Sequence, residues 1–217
     1  MTKIKAVIFD LDGTLLNTLN DLADSMNRVL DRMGHPGHPR ENYKYFVGDG
    51  IEKLAYRVLP EKSRNTEEVA RCVAEMREEY GNHWHDQTHI YEGIEAMLSE
   101  LTRRSIKLAI LSNKLDHFTQ LTVSRYFPDW NFYPVIGVKP DIPKKPDPTG
   151  TFHIMNQLQL KPRDFLFLGD TSTDMLTAGE AGIFAVGALW GFRTREELIT
   201  SGARDIIETP EELLSHV

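Results

Sequence analysis

The chain has 217 residues, with 25 Lys and Arg against 32 Asp and Glu, a formal net charge of −7, 41% hydrophobic and 26% charged residues. That length suits one core with an inserted subdomain, and the acidic balance excludes a general nucleic-acid surface, where basic patches dominate. Cys72 is the lone cysteine, so no intrachain disulfide forms. No apolar run approaches transmembrane length, and Met1-Thr2-Lys3-Ile4-Lys5 runs straight into a strand pattern with no room for a signal peptide. The expectation is a cytoplasmic protein with neither membrane nor nucleic-acid partner.

The first element is the apolar run Ala6-Val7-Ile8-Phe9, which reads as a buried strand. It ends in Asp10-Leu11-Asp12-Gly13-Thr14-Leu15. Two acids in an extended segment, two positions apart, point to one side, and buried charge must be paired or coordinated. Locally the pair reads as a cation site, or as a strand stopping at an Asx-turn with Gly13 at positive φ. Residues 17–88 contain no strand run. Helical patterns cover 21–33, resume from 41 after the breaker Gly34-His35-Pro36-Gly37-His38-Pro39, are interrupted at Gly48-Asp49-Gly50, and return at 66–84. Beyond them, apolar strands at 107–111, 164–168, 184–187 and 205–207 alternate with helices at 92–104, 116–126, 149–158 and 173–181. That alternation predicts an α/β fold, a Rossmann-like parallel sheet with helices on both faces. Residues 1–16 and 89–217 form its core domain, and the helical segment 17–88 is inserted between the first two strands.

In open parallel sheets, ligands bind at the carboxyl ends of the strands. Asp10 and Asp12 end the first strand, Ser112-Asn113-Lys114 the second, and Gly169-Asp170-Thr171-Ser172-Thr173-Asp174 follows the strand at 164–168. Pro143-Lys144-Lys145-Pro146-Asp147-Pro148 is a rigid basic loop before a helix. Singly, each has a structural explanation: Ser112 and Thr171 as helix caps, Asp174 as a charge at a helix N-terminus, Lys145 as a solvated loop charge.

Together they resemble the four motifs of the haloacid dehalogenase-like superfamily, in order: Asp10-Leu11-Asp12-Gly13-Thr14, then Ser112, then Lys145 before Pro146, then Gly169-Asp170 through Asp174. The resemblance implies that Asp10 attacks phosphorus to form an aspartyl-phosphate, and that Asp12 protonates the leaving alkoxide and then deprotonates water. It implies Mg²⁺ held by the Asp10 carboxylate, the Asp12 backbone carbonyl and the Asp170 carboxylate. Asp174 then orients Lys145 or a metal-bound water. Ser112, Lys145, Asn113, Gly13 and Thr14 are the implied phosphate-binding residues, with backbone amides of Asp12 and Asn113 completing the cradle.

Asp12 separates this chain from the dehalogenases, which lack a second Asp, and the inserted helices resemble a C1-type cap. Phe46-Val47-Gly48-Asp49-Gly50 and the tail Trp190-Gly191-Phe192-Arg193 are similar to phosphoglycolate phosphatases. The alternatives are a sugar-phosphate or nucleotide phosphatase, a phosphomutase of the β-phosphoglucomutase type, or a catalytically silent binding protein on the same scaffold. The mutase reading lacks its cap His, since residues 18–28 contain none. Asn17 stands where the family's DxDGTLxD run has Asp. The expected partner is a small phosphomonoester, with the chain a monomer or homodimer. His83, His85 and His89 read as solvated or packing residues rather than a zinc site, because four converging ligands are wanting.

Overall fold

The computed structural model describes residues 4–217. Met1, Thr2 and Lys3, on which the signal-peptide expectation bears, lie outside the described residues. The chain divides into two compact units, Met1–Leu16 with Ile90–Val217, and Asn17–His89. In chain order the elements are β1 (Ala6–Phe9), β2 (Leu16–Asn17), α1 (Leu19–Arg32), α2 (Tyr43–Phe46), α3 (Ile51–Val58), α4 (Thr66–His83) and β3 (His89–Ile90). There follow α5 (Ile94–Arg103), β4 (Lys107–Leu115), α6 (Asp116–Tyr126), β5 (Phe132–Val138), α7 (Thr149–Leu158) and β6 (Phe165–Gly169). The chain ends with α8 (Ser172–Glu180), β7 (Phe184–Ala188), α9 (Arg195–Thr200), β8 (Asp205–Ile207) and a short 3₁₀ segment, Pro210–His216.

The first unit is a six-stranded sheet in the order β5-β4-β1-β6-β7-β8, parallel throughout. The α/β, Rossmann-like expectation is therefore met. Strand order reverses beside β1, which lies between β4 and β6, and this is where a doubly wound sheet opens a crevice. Successive residues of β1 face opposite sides. Val7 and Phe9 join Ile94, Leu98 and Leu101 of α5 in one apolar cluster. Ala6 and Ile8 join Ile154 of α7, Met175 of α8 and Leu198 of α9 in the other. Every β1 side chain is buried, as a central strand covered on both faces requires.

β2, β3 and α9 were not among the expected elements, and two further departures lead into the strand-end cluster. β5 is absent from the strands expected from the sequence, and it carries Pro134, a residue that within a sheet is confined to edges and bulges. It is an edge strand, paired only with β4, where a missing N–H is tolerated. β4 runs on past the expected end at 111 to Leu115, through a register irregularity after Leu111, so Ser112, Asn113 and Lys114 lie within the strand.

The second unit, Asn17–His89, is helical apart from its end residues in β2 and β3, which pair with each other as a two-stranded ribbon. Its core includes Met26, Val29, Leu30, Tyr43, Leu54, Val58, Cys72 and Met76. Asn65 caps α4 by accepting the Glu68 N–H at 3.0 Å. Asp21 of α1 is buried and ties down the end of the unit: its Oδ1 accepts the Gln87 N–H at 2.9 Å, and its Oδ2 accepts the Thr88 N–H at 2.8 Å and hydroxyl at 2.7 Å. Among the described residues no helix is long and apolar enough to cross a membrane.

Candidate active site

The carboxyl ends of β1 and β6 lie side by side and carry Asp10 and Asp170. Asp10 extends the ladder past the strand end by donating its N–H to the Leu168 carbonyl at 3.0 Å. The chain then folds back on itself, with the Gly13 N–H donating to the Leu16 carbonyl at 2.8 Å and the Leu15 N–H to Leu11 at 3.0 Å. Gly13 has φ +93°, and a Cβ there would collide with the Asp170 carboxylate and the Phe192 ring. Both backbone conformation and close approach demand glycine.

Lys145 arrives on the loop between β5 and α7. Its ammonium donates to Asp10 Oδ1 at 2.7 Å and to Asp174 Oδ1 at 2.6 Å, and all three residues are buried. Asn113 holds this loop by its backbone: Asn113 Nδ2 donates to the Lys145 carbonyl at 3.0 Å, and the Lys145 N–H donates to Asn113 Oδ1 at 2.8 Å. Asp174 sits in the first turn of α8, where its Oδ2 accepts the Thr171 N–H at 3.0 Å and hydroxyl at 2.7 Å. One carboxylate thus completes a capping box and fixes the lysine.

Asp170 is held by the Thr14 hydroxyl, donating to Oδ1 at 2.9 Å, and by the Phe192 N–H, donating to Oδ2 at 2.8 Å. The Trp190 indole N–H donates to the Thr14 carbonyl at 2.9 Å. The hydroxyl of Thr14, a residue expected among the phosphate-binding groups, donates its one proton to Asp170. Ser112 is buried and its Oγ accepts the Lys114 N–H at 3.2 Å; a hydroxyl accepting in this way keeps its own proton to donate.

Asp10 and Asp12 have different partners. The Asp12 carboxylate is bound by Lys114, whose Nζ lies 3.1 Å from both oxygens. β1 ends at Phe9 and Leu11 lies in a bend, so strand-type side-chain alternation does not carry through to Asp12.

Oxygens of Asp10, Asp170 and Asp174 all lie within 4.8 Å of one another, the only such group of potential metal ligands among the described residues. Three buried carboxylates face the single ammonium of Lys145. Burial pushes the Asp10 carboxyl up to about 7, against the opposing pull of Lys145, with Asp174 adding to the rise. Burial also drives Asp170 well above the usual carboxylate range, helped by Asp10 and Asp174. For Lys145, burial works against the charged form, but Asp10 and Asp174 outweigh it and hold the ammonium. Hard anionic oxygens in excess over their counter-charge are the donor set a divalent cation of the Mg²⁺ or Ca²⁺ type fits. Among the described residues no histidine joins such a group. His83 pairs with Asp86 at 2.8 Å, His85 stacks on Trp84, and His89 contacts the Gln87 carbonyl at 3.0 Å.

The sequence reading assigned no role to Lys114, and gave Asn113 phosphate binding but no hold on Lys145. Both lie on the strand beside β1, where Phe9 pairs with Ile110, an adjacency that only the sheet order supplies. Residues a few positions past that pair face each other at the sheet's ligand-binding edge.

Known proteins resemble this chain in sequence and fold. Phosphoglycolate phosphatase from Nitrosospira multiformis is 31% identical over 193 residues, covering 87% of this chain and 85% of that protein. Phosphoglycolate phosphatase from Vibrio parahaemolyticus is 28% identical over 99% of this chain and 96% of that one. A crystal structure from Lactobacillus delbrueckii subsp. bulgaricus superposes with a TM-score of 0.92 at 28% identity, covering 98% of this chain and 97% of the other. A haloacid dehalogenase-like family hydrolase from Streptococcus pneumoniae shares the fold at a TM-score of 0.89 and 24% identity, covering 99% of each chain. Residues 7–188, spanning all four motifs, match the haloacid dehalogenase-like hydrolase family, and the chain belongs to it.

Proposed function

We propose that the chain hydrolyses a small phosphomonoester through an aspartyl-phosphate on Asp10. The observation that carries this reading is the buried array in which Lys145 bridges Asp10 and Asp174 beside Asp170. Such an array opposes stability and is suited to an anionic electrophile. In the first half-reaction an Asp10 oxygen bonds to phosphorus, the ester P–O bond breaks, and the alkoxide takes a proton from the Asp12 carboxyl. In the second, Asp12 removes a proton from water, the water oxygen bonds to phosphorus, and the P–O bond to Asp10 breaks. Inorganic phosphate leaves and both aspartates are restored. Lys145 offsets charge on the phosphoryl group, Ser112 donates its hydroxyl to a phosphoryl oxygen, and Asn113 and Asp174 keep the lysine in place.

Asp10, Asp170 and the Asp12 carbonyl are the groups we assign to Mg²⁺, which when bound supplies positive charge against phosphate repulsion. The helical unit is read as a C1-type cap that selects the substrate. The named relatives support phosphoglycolate as the first substrate to try, and the lone free thiol suits a reducing cytoplasm.

Asp10→Asn is expected to lower turnover by at least about 1,000-fold while the protein stays folded. Normal turnover by the folded variant would overturn the assignment. Chelation is expected to stop hydrolysis and Mg²⁺ to restore it; release of phosphate without metal would contradict the role given to Asp170.

A further inference from the structure

We propose that Lys114 is the positioning residue for Asp12, fixing the direction in which its carboxyl passes a proton. This deepens the phosphatase reading and rests on it. The Lys114 ammonium lies 3.1 Å from each Asp12 oxygen, a symmetrical grip that defines where both oxygens point. The Lys114 side chain is 6% exposed and that of Asp12 20%. The lysine therefore approaches from the protein side and the carboxylate keeps a face toward solvent. A surface ion pair would have both ends wet. This pair joins residues 102 apart in sequence across neighbouring strands of the sheet, at its ligand-binding edge.

The two lysines of the site then have separate duties. Lys145 serves the nucleophile and Lys114 the proton carrier. In the first half-reaction Asp12 gives its proton to the leaving alkoxide while Lys114 still donates to the oxygen that does not carry that proton. In the second, the same grip holds the carboxylate as it takes a proton from water.

A leaving group that needs no proton should be indifferent to Lys114. The experiment compares kcat/KM, which reports the step that breaks the ester bond, for 2-phosphoglycolate and for p-nitrophenyl phosphate with Mg²⁺. Lys114→Met is expected to lose about 100-fold on the alkyl ester and less than about 5-fold on the aryl ester. Asp12→Asn should show the same selectivity, and Lys114→Arg should recover much of the alkyl-ester activity. Nitrophenol release by Lys114→Met should begin with a burst, because its phosphoenzyme still needs Asp12 to activate water. Should Lys114→Met fail to fold, Lys114→Gln carries the same comparison. Equal losses on both substrates, or no loss on either, would overturn the assignment of Lys114 alone. A wild-type protein that cleaves neither ester would instead overturn the phosphatase reading.

Discussion

The strand-end cluster and the outer face of the helical unit use the same chemistry to opposite purposes. At the strand ends, Lys145 meets Asp10 and Asp174 in the interior, with side-chain exposures of 2%, 9% and 0%. On the helical unit, Glu79 accepts Arg28 at 2.5 Å and Arg32 at 2.6 Å, but the two arginines are 44% and 45% exposed. Water screens the second network, so each pair contributes on the order of 0–1 kcal/mol. The first network is unscreened, its desolvation is costly, and well-packed apolar residues of like volume would suit the fold as well or better. Charge retained where it opposes stability is what the proposed phosphoryl chemistry calls for; charge retained where it matters little is only a surface.

Substitutions can break or sharpen this contrast. Lys145→Met leaves two buried carboxylates without their counter-ion and is expected to cost roughly 3–5 kcal/mol in urea unfolding of the metal-free protein. A loss below about 1 kcal/mol would place Lys145 with the surface pairs. Asp21→Ala, which strands the Gln87 and Thr88 donors inside the helical unit, is expected to cost about 2–3 kcal/mol with no change in the strand-end chemistry. Cys72 tests the interior of the same unit. Burial pushes its thiol up to about 11, with Glu75 and Glu68 adding to the rise. A raised thiol pKa keeps the neutral form as pH climbs, so at pH 8 only about one molecule in a thousand is thiolate, against about a quarter for an unperturbed thiol. Iodoacetamide at pH 8 should therefore label the native chain at least about 100-fold more slowly than the urea-unfolded chain; equal rates would contradict the burial. Smallest of all, Glu79→Gln should cost about 1 kcal/mol or less despite removing the charge that pairs with two arginines.

Legibility in the sequence followed the range of the interactions. Asp10, Asp12, Ser112, Lys145, Asp170 and Asp174 each mark the end of a strand or the loop before a helix, where local pattern and polarity suffice to find them. The capping of α8 by Thr171 and Asp174 was legible for the same reason. The Asn113 clamp on Lys145 spans 32 residues and the Lys114 grip on Asp12 spans 102, and both depend on sheet order and register. No local pattern encodes those. Thr14 was read from its place in a motif, yet its direction is set by Asp170 on the neighbouring strand. β5 carries Pro134, whose fit in a strand follows from the edge position that sheet order supplies.

The central claim is that Asp10 carries the phosphoryl group. The most direct test is to quench the protein during turnover of 2-phosphoglycolate with Mg²⁺, reduce with borohydride, and map the peptide containing residue 10 by mass spectrometry. Borohydride reduces an acyl phosphate to the alcohol and leaves a free carboxylate untouched. The account predicts reduction at Asp10, dependent on substrate and absent from Asp10→Asn. Reduction at another aspartate, or phosphate release with Asp10 never reduced, would contradict it.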